Sequence, residues 1–214
     1  MKENSNVKLN TNDMMDLAIE TGMQLIPIVG GSLATIYFGI KQTKEFKRIE
    51  QFYTELANDL QKQSERIVNL ETQYQNGLVS LIEQLNNKVE KEHQYHKVQL
   101  YKTYMKNLLF NPITEQNYDQ RKTFLDVLES LTFLELEILV FLYDNQGMGP
   151  IAVKSFGKSG VSQYALVGGV SKLKMNGLVS AVTNNIVFGG DNSLEEMVSV
   201  TDYGLEFINF CIVE

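Results

Sequence analysis

The hydrophobic positions of this chain fall into three rhythms. The first is residues 21–40, TGMQLIPIVGGSLATIYFGI, an uncharged run of twenty between Glu20 and Lys41. At about 1.5 Å of rise per residue, a helix of that length spans roughly the 30 Å of a bilayer's hydrocarbon core. Its eight Leu, Ile, Val and Phe residues contribute roughly −2 to −5 kcal/mol on an insertion scale, which the glycines, Pro27 and the polar positions largely offset. The run is therefore marginal for insertion, and both a membrane-active helix and a buried soluble helix fit it. Small residues recur along it: Pro27, Gly31, Thr35 and Gly39 stand at four-residue intervals, with Gly30 and Ala34 as an adjacent pair. In lipid that spacing lets helix backbones approach and associate. Residues 1–20 read as a polar tail leading into a helix start, with Asn12 placed to cap it and Asp13 and Asp16 in its first turn.

The second rhythm is helical. From Thr43 to Leu109 there is no proline and one glycine, and apolar residues recur in a seven-residue frame: Phe46, Ile49, Tyr53, Leu56, Leu60, Ile67, Leu70, Tyr74 and Leu81. Past Gly77 the frame slips, and Leu78, Ile82, Leu85 and Val89 become the better seam. The slip predicts either a stutter in one continuous helix or a turn at Asn76-Gly77 that folds residues 41–110 into a hairpin. The continuous helix is preferred, and at about 100 Å it would need partners along its length.

The third rhythm is that of a small α+β domain, residues 121–214, reached through a linker at 111–120 that the Asn111-Pro112 step opens. Residues 121–130 are amphipathic. Thr132 with Glu135 predicts a capping box and a helix through Tyr143. Pro150 predicts a short helix over 150–156. Ser162 caps a helix over 163–176 that Gly177 closes. The runs LVSAV and NIVF, a Gly-Gly-Asp-Asn turn and MVSVT predict strands, and Thr201 caps a last helix. The fold class expected is mainly α: an N-terminal apolar helix, a long helical or coiled-coil middle, and a C-terminal α+β domain.

Charge sharpens this division. The net charge is −7; residues 1–124 are balanced at 15 basic and 15 acidic side chains, and residues 125–214 carry four basic and eleven acidic ones. That field repels phosphate backbones at long range. The four lysines, Lys154, Lys158, Lys172 and Lys174, nevertheless occupy a window with no acid between Asp144 and Asp191, so a local basic patch is open. Lys41, Lys44, Lys47 and Arg48 follow the apolar run and would mark its cytoplasmic side. No signal-peptide pattern precedes that run, and the single Cys211 makes no internal disulfide.

Catalytic chemistry finds little support. His93 and His96 stand three apart beside Glu90 and Glu92, a spacing that could seat two imidazoles on a metal, but no distant Cys or His completes a shell. A solvated helix face is the reading preferred there. GGVSKLK and GKSG lack phosphate-loop spacing. Neither an enzyme nor a cofactor is expected. Partner recognition would fall to Ser162, Gln163, Tyr164, Lys172 and Lys174 along one helix, with Lys154 and Lys158 nearby. Gly168 and Gly169 cost that helix about 1 kcal/mol each, and the hairpin tip GGDNSLEE is acidic. Protein is therefore favoured over DNA as its ligand.

Helix, helix, turn, a helix leaving through "NGLV", a hairpin and then "VTDYGLEF" resemble the winged-helix folds of bacterial regulators over roughly residues 123–214, with Thr201 and Gly204 matching the turn after the closing strand. The whole layout is similar to the abortive-infection alpha group of small bacterial proteins. That likeness rests on Ile26 to Gly31, the helical stretch near Glu90–Lys106, and FLDVLESLTFLELEIL. It implies antiviral defence at the bacterial cytoplasmic membrane: a homo-oligomer that senses a phage or other protein and permeabilises the lipid bilayer, with most of the chain cytoplasmic. Two other readings stay open, a coiled-coil dimeric winged-helix transcription regulator in the cytoplasm and an assembly protein of a mobile element.

Overall fold

A computed structural model describes residues 44–67, 74–183 and 193–213. The polar tail, the apolar run with Pro27, Gly30, Gly31, Ala34, Thr35 and Gly39, and the NIVF strand with its turn lie outside the described residues. The chain is mainly helical, with one small three-stranded antiparallel sheet near the C-terminus. It divides into two compact units, 1–122 and 123–214.

Among the described residues the first unit packs together α1 (Lys44–Gln61), α2 (Gln75–Lys91) and α3 (Tyr95–Phe110), each touching the other two. Much of the expected seam is buried, namely Tyr53, Leu56 and Leu60 of α1 and Leu78, Leu81, Ile82, Leu85 and Val89 of α2, joined by Phe52, which lay outside the frame. Ile49 and Ile67 are half-buried and Tyr74 is exposed. The continuous helix is corrected, and so is the turn at Asn76-Gly77. Those two residues lie in the first turn of α2, and the breaks fall after Gln61 and at Glu92–Gln94. The second break has a local cause. The Glu92 carboxylate accepts the backbone N–H of both His93 and Gln94 at 2.9 Å, which competes with helix continuation as a short acidic side chain does at a cap. His93 therefore sits in the break and not on a helix.

The linker is likewise shorter than expected. Only residues 111–114 separate α3 from helix α4 (Glu115–Ser130), because Thr114 and Asn117 cap it reciprocally. The Thr114 N–H donates to Asn117 Oδ1 at 2.9 Å, and the Asn117 N–H donates to Thr114 Oγ1 at 3.2 Å. The unit boundary falls within α4.

In the second unit α5 (Phe133–Asp144) follows the Thr132/Glu135 capping box. The helix expected over 150–156 is instead a two-residue strand, β1 (Ile151–Ala152), and a single 3-10 turn over Val153–Ser155. Proline at position 150 suits the start of a strand as well as that of a helix, and pairing with a distant strand decides between them. Helix α6 (Gln163–Met175), β2 (Val179–Thr183), β3 (Glu196–Val200) and α7 (Asp202–Cys211) complete the unit. The sheet order is β1-β3-β2, with Val198 opposite both Ile151 and Ala181. Phe124 anchors the core at ring distances of 5.4 Å from Phe207 and 5.3 Å from Tyr203.

Two glycines set the joint between α6, the sheet and α7. Gly177 ends α6 at φ +71°, a left-handed exit that L side chains resist. Gly204 lies so close to the residue that leads into β2 that a Cβ would stand 2.0 Å from the Leu178 carbonyl oxygen. Thr201 locks the same joint: its hydroxyl donates to the Gly177 carbonyl at 2.6 Å and accepts the Gly204 N–H at 2.9 Å.

Candidate functional site

The residues expected to recognise a partner cluster around α6. Ser162 caps it, its hydroxyl accepting the Ala165 N–H at 3.1 Å. Gln163 and Tyr164 in the first turn are exposed, Tyr164 at 66 %. The four lysines do not form a free basic patch. Lys154 pairs with Glu195 at 2.7 Å and Lys174 with Glu196 at 2.8 Å. Lys158 pairs with Glu137, and Lys172 bonds both the Ser130 carbonyl and Glu135, the latter at 3.0 Å. Each lysine thus meets a glutamate supplied from 21 to 41 residues away in sequence. Pairing cancels the local field that a phosphate backbone would need, within an acidic unit that already repels it.

An unforeseen feature lies beside this cluster. A groove of about 300 Å³ runs between α5 and the turn before α6, lined by Leu134, Ile138, Phe141, Phe156 and Leu166 together with the Glu137 and Lys158 pair. Phe141 packs edge-on against Phe156 at 5.5 Å, and 41 % of Phe141 remains exposed. Phe133, two turns earlier, is 46 % exposed. The signal was present in the sequence: α5 reads FLELEILVFLYD, apolar on more faces than one core-facing stripe requires. A helix that is too apolar for its burial leaves an exposed apolar surface, which is what marks a contact site.

The first unit carries a different kind of polar cluster. Gln51, Glu55 and Asp59 recur every fourth residue on α1, and Glu55 and Asp59 meet Gln99 and Lys102 of α3. Lys102 Nζ lies 2.8 Å from Asp59 and 3.8 Å from Glu55, and Gln99 and Gln51 donate to Glu55 at 2.7 and 2.8 Å. Burial raises both carboxyls, but the hydrogen bonds from Gln99, Gln51 and Tyr95 together with the Lys102 charge outweigh it at Glu55. At Asp59 the Lys102 bond and charge, with Lys106 and Lys62, do the same, and both end below the usual carboxylate range. Tyr53 donates to Asn86 Oδ1 at 2.7 Å, and burial pushes its phenol well above the ordinary value. Burial, then the charges of Glu206 and Cys211, raise Tyr203 in the second unit. A cleft of about 190 Å³ borders the α1 cluster, but Arg48 at its edge donates to the Glu90 carbonyl and Glu55 is held as described. The chemistry there is that of a clasp between helices.

His93 and His96 join no group of metal-ligand type among the described residues, and no described helix is long and apolar enough to cross a membrane. No protein-family model, curated protein or solved structure matches the chain.

Proposed function

We propose that the chain is a non-enzymatic effector in which a winged-helix unit recognises a protein and the apolar run 21–40 acts on the membrane. The order α5, β1, 3-10 turn, α6, β2, β3, with β3 between the other two strands, supports the winged-helix reading of residues 123–214. The observation that carries protein recognition is the neutralisation of all four lysines of this unit beside an open aromatic groove. A nucleic-acid-binding wing unit depends on unpaired cations for most of its affinity; here apolar contact and shape are what the surface offers.

The membrane half rests on the sequence of residues 21–40. An isolated copy gains little by inserting so dilute an apolar run. Several copies gathered by a recognised partner would add packing along Pro27, Gly31, Thr35 and Gly39 and cover the glycine backbone. Assembly is then the trigger, and the likeness to the abortive-infection alpha group supports a phage protein as the ligand and membrane permeabilisation of an infected bacterium as the outcome.

Bacteria expressing the chain, with and without phage challenge, test this by membrane potential and dye influx. Gly31→Leu with Gly39→Leu should abolish influx and crosslinked oligomers while leaving membrane association intact, because leucine raises hydrophobicity but holds backbones apart. Ile28→Asp with Leu33→Asp should release the chain from membranes, at about 2.5–3.5 kcal/mol per charge near a helix centre. A wild-type chain that stays a stable monomer away from membranes would overturn the proposal.

A further inference from the structure

The exposed face of α5 alternates aromatic rings and carboxylates. Phe133, Glu137, Phe141 and Asp144 follow one another at four-, four- and three-residue steps, the spacing that keeps side chains on one side of a helix. The first half of this ridge already holds a cation: Lys158 Nζ is bonded to the Glu137 carboxylate and lies 5.4 Å from the centre of the Phe133 ring. An ammonium between a ring face and a carboxylate gains from both, which is the arrangement of aromatic cation sites. The second half repeats the pattern with Phe141 and Asp144, both exposed, and no lysine or arginine lies within ion-pair distance of Asp144 among the described residues. The apolar groove opens between Phe141, Leu134 and Phe156.

We infer that this ridge and groove dock a cationic amphipathic segment of a protein partner, an apolar side chain filling the groove and a lysine or arginine seated at Phe141 and Asp144. The inference rests on the protein-recognition reading above and specifies its ligand class. Charge complementarity chooses the occupant. Residues 125–214 hold eleven acids against four lysines, and those four are all paired within the chain, so an acidic segment would meet net repulsion and a basic one net attraction. Lys158 is the internal example of the chemistry, and the partner supplies its equivalent one helical turn further on.

The test uses the full-length chain and two labelled peptides of equal length, an amphipathic leucine–lysine helix and its leucine–glutamate counterpart, read by fluorescence anisotropy. The lysine peptide should bind and the glutamate peptide should not. Phe141→Ala should weaken binding by about tenfold and Asp144→Asn by about threefold, whereas Glu206→Gln, an equal loss of charge on α7, should leave it unchanged. An equal loss from Glu206→Gln would reduce the effect to net charge and overturn the site. Tight binding of the glutamate peptide, lost in Phe141→Ala, would overturn the basic partner while leaving protein recognition standing. Self-association of the wild type that Phe141→Ala abolishes would show a second copy on the ridge and overturn the inference. Binding of duplex DNA with no binding of either peptide would remove both this inference and the reading beneath it.

Discussion

One lysine ion pair in each unit shows two opposite settings. In the helical unit Lys102 is 8 % exposed, clasped by Asp59 and Glu55 between α1 and α3. In the C-terminal unit Lys154 and Glu195 are each about half exposed, at 51 % and 47 % of their side chains. The same chemical pair therefore does two jobs. Between helices it fixes which faces meet, because a charge withdrawn from water tolerates no other arrangement. At the surface it contributes little to stability and instead decides what the surface can bind, by cancelling cations a nucleic acid would use.

The largest expected effect separates these jobs. Lys102→Ala should lower the stability of the helical unit by about 2 kcal/mol, since it removes the cation shared by two carboxylates, each still about a quarter exposed and each keeping weaker partners among Gln99, Gln51 and Lys62. Hydrogen exchange resolved by segment should show the loss in α1 and α3. An effect below that of a surface pair would erase the distinction.

Acid should find the same clasp. Both Glu55 and Asp59 titrate below their ordinary range when folded. Their contribution is therefore fully present above the unfolded carboxylate value of about 4 and is lost as pH falls through the folded value. Exchange protection of α1 and α3 should be level near neutrality and fall in acid, and Asp59→Asn should flatten that fall while lowering protection at neutral pH. The raised phenol of Tyr53 acts on the other side: its contribution is present below about pH 10 and declines above it, as the unfolded phenol ionises first.

The C-terminal unit should respond more to its caps than to its ion pairs. Thr201→Ala removes the bond to the Gly177 carbonyl and the cap on Gly204, and should cost about 1 kcal/mol by chemical denaturation. Lys154→Ala should cost no more than about 0.5 kcal/mol. A Lys154 variant as damaging as the Lys102 variant would make the surface pairs structural and remove the contrast.

What was legible in the sequence follows the same division between local and distant. The caps at Thr132, Ser162 and Thr201 and the exit at Gly177 are local patterns of four residues or fewer, and each is present in the fold. The seam residues Tyr53, Leu56 and Leu60 and those from Leu78 to Val89 were legible as a buried stripe, but a stripe does not say whether its partner is another chain or the next helix of the same one. The break at Glu92–Gln94 was hidden because it uses neither glycine nor proline, Glu92 capping its own turn; the early start of α4 was hidden because Thr114 pairs with asparagine where glutamate or glutamine is the familiar sign. β1 was missed because two residues become a strand only through Val198 and Met197. The lysine window from 154 to 174 looked free of acids for the same reason; Glu135, Glu137, Glu195 and Glu196 lie outside it and arrive by folding.

One titration tests the account of that window most directly. Duplex DNA is titrated against the full-length chain and against a variant carrying Glu137→Gln, Glu195→Gln and Glu196→Gln, at several salt concentrations. The wild type should bind no better than the weak non-specific range, about 10⁻⁴ M at physiological salt, and the variant, with Lys154, Lys158 and Lys174 released, should bind more tightly with an affinity that falls steeply as salt rises. Tight, salt-sensitive binding by the wild type, unchanged in the variant, would contradict it and make the C-terminal unit a reader of DNA.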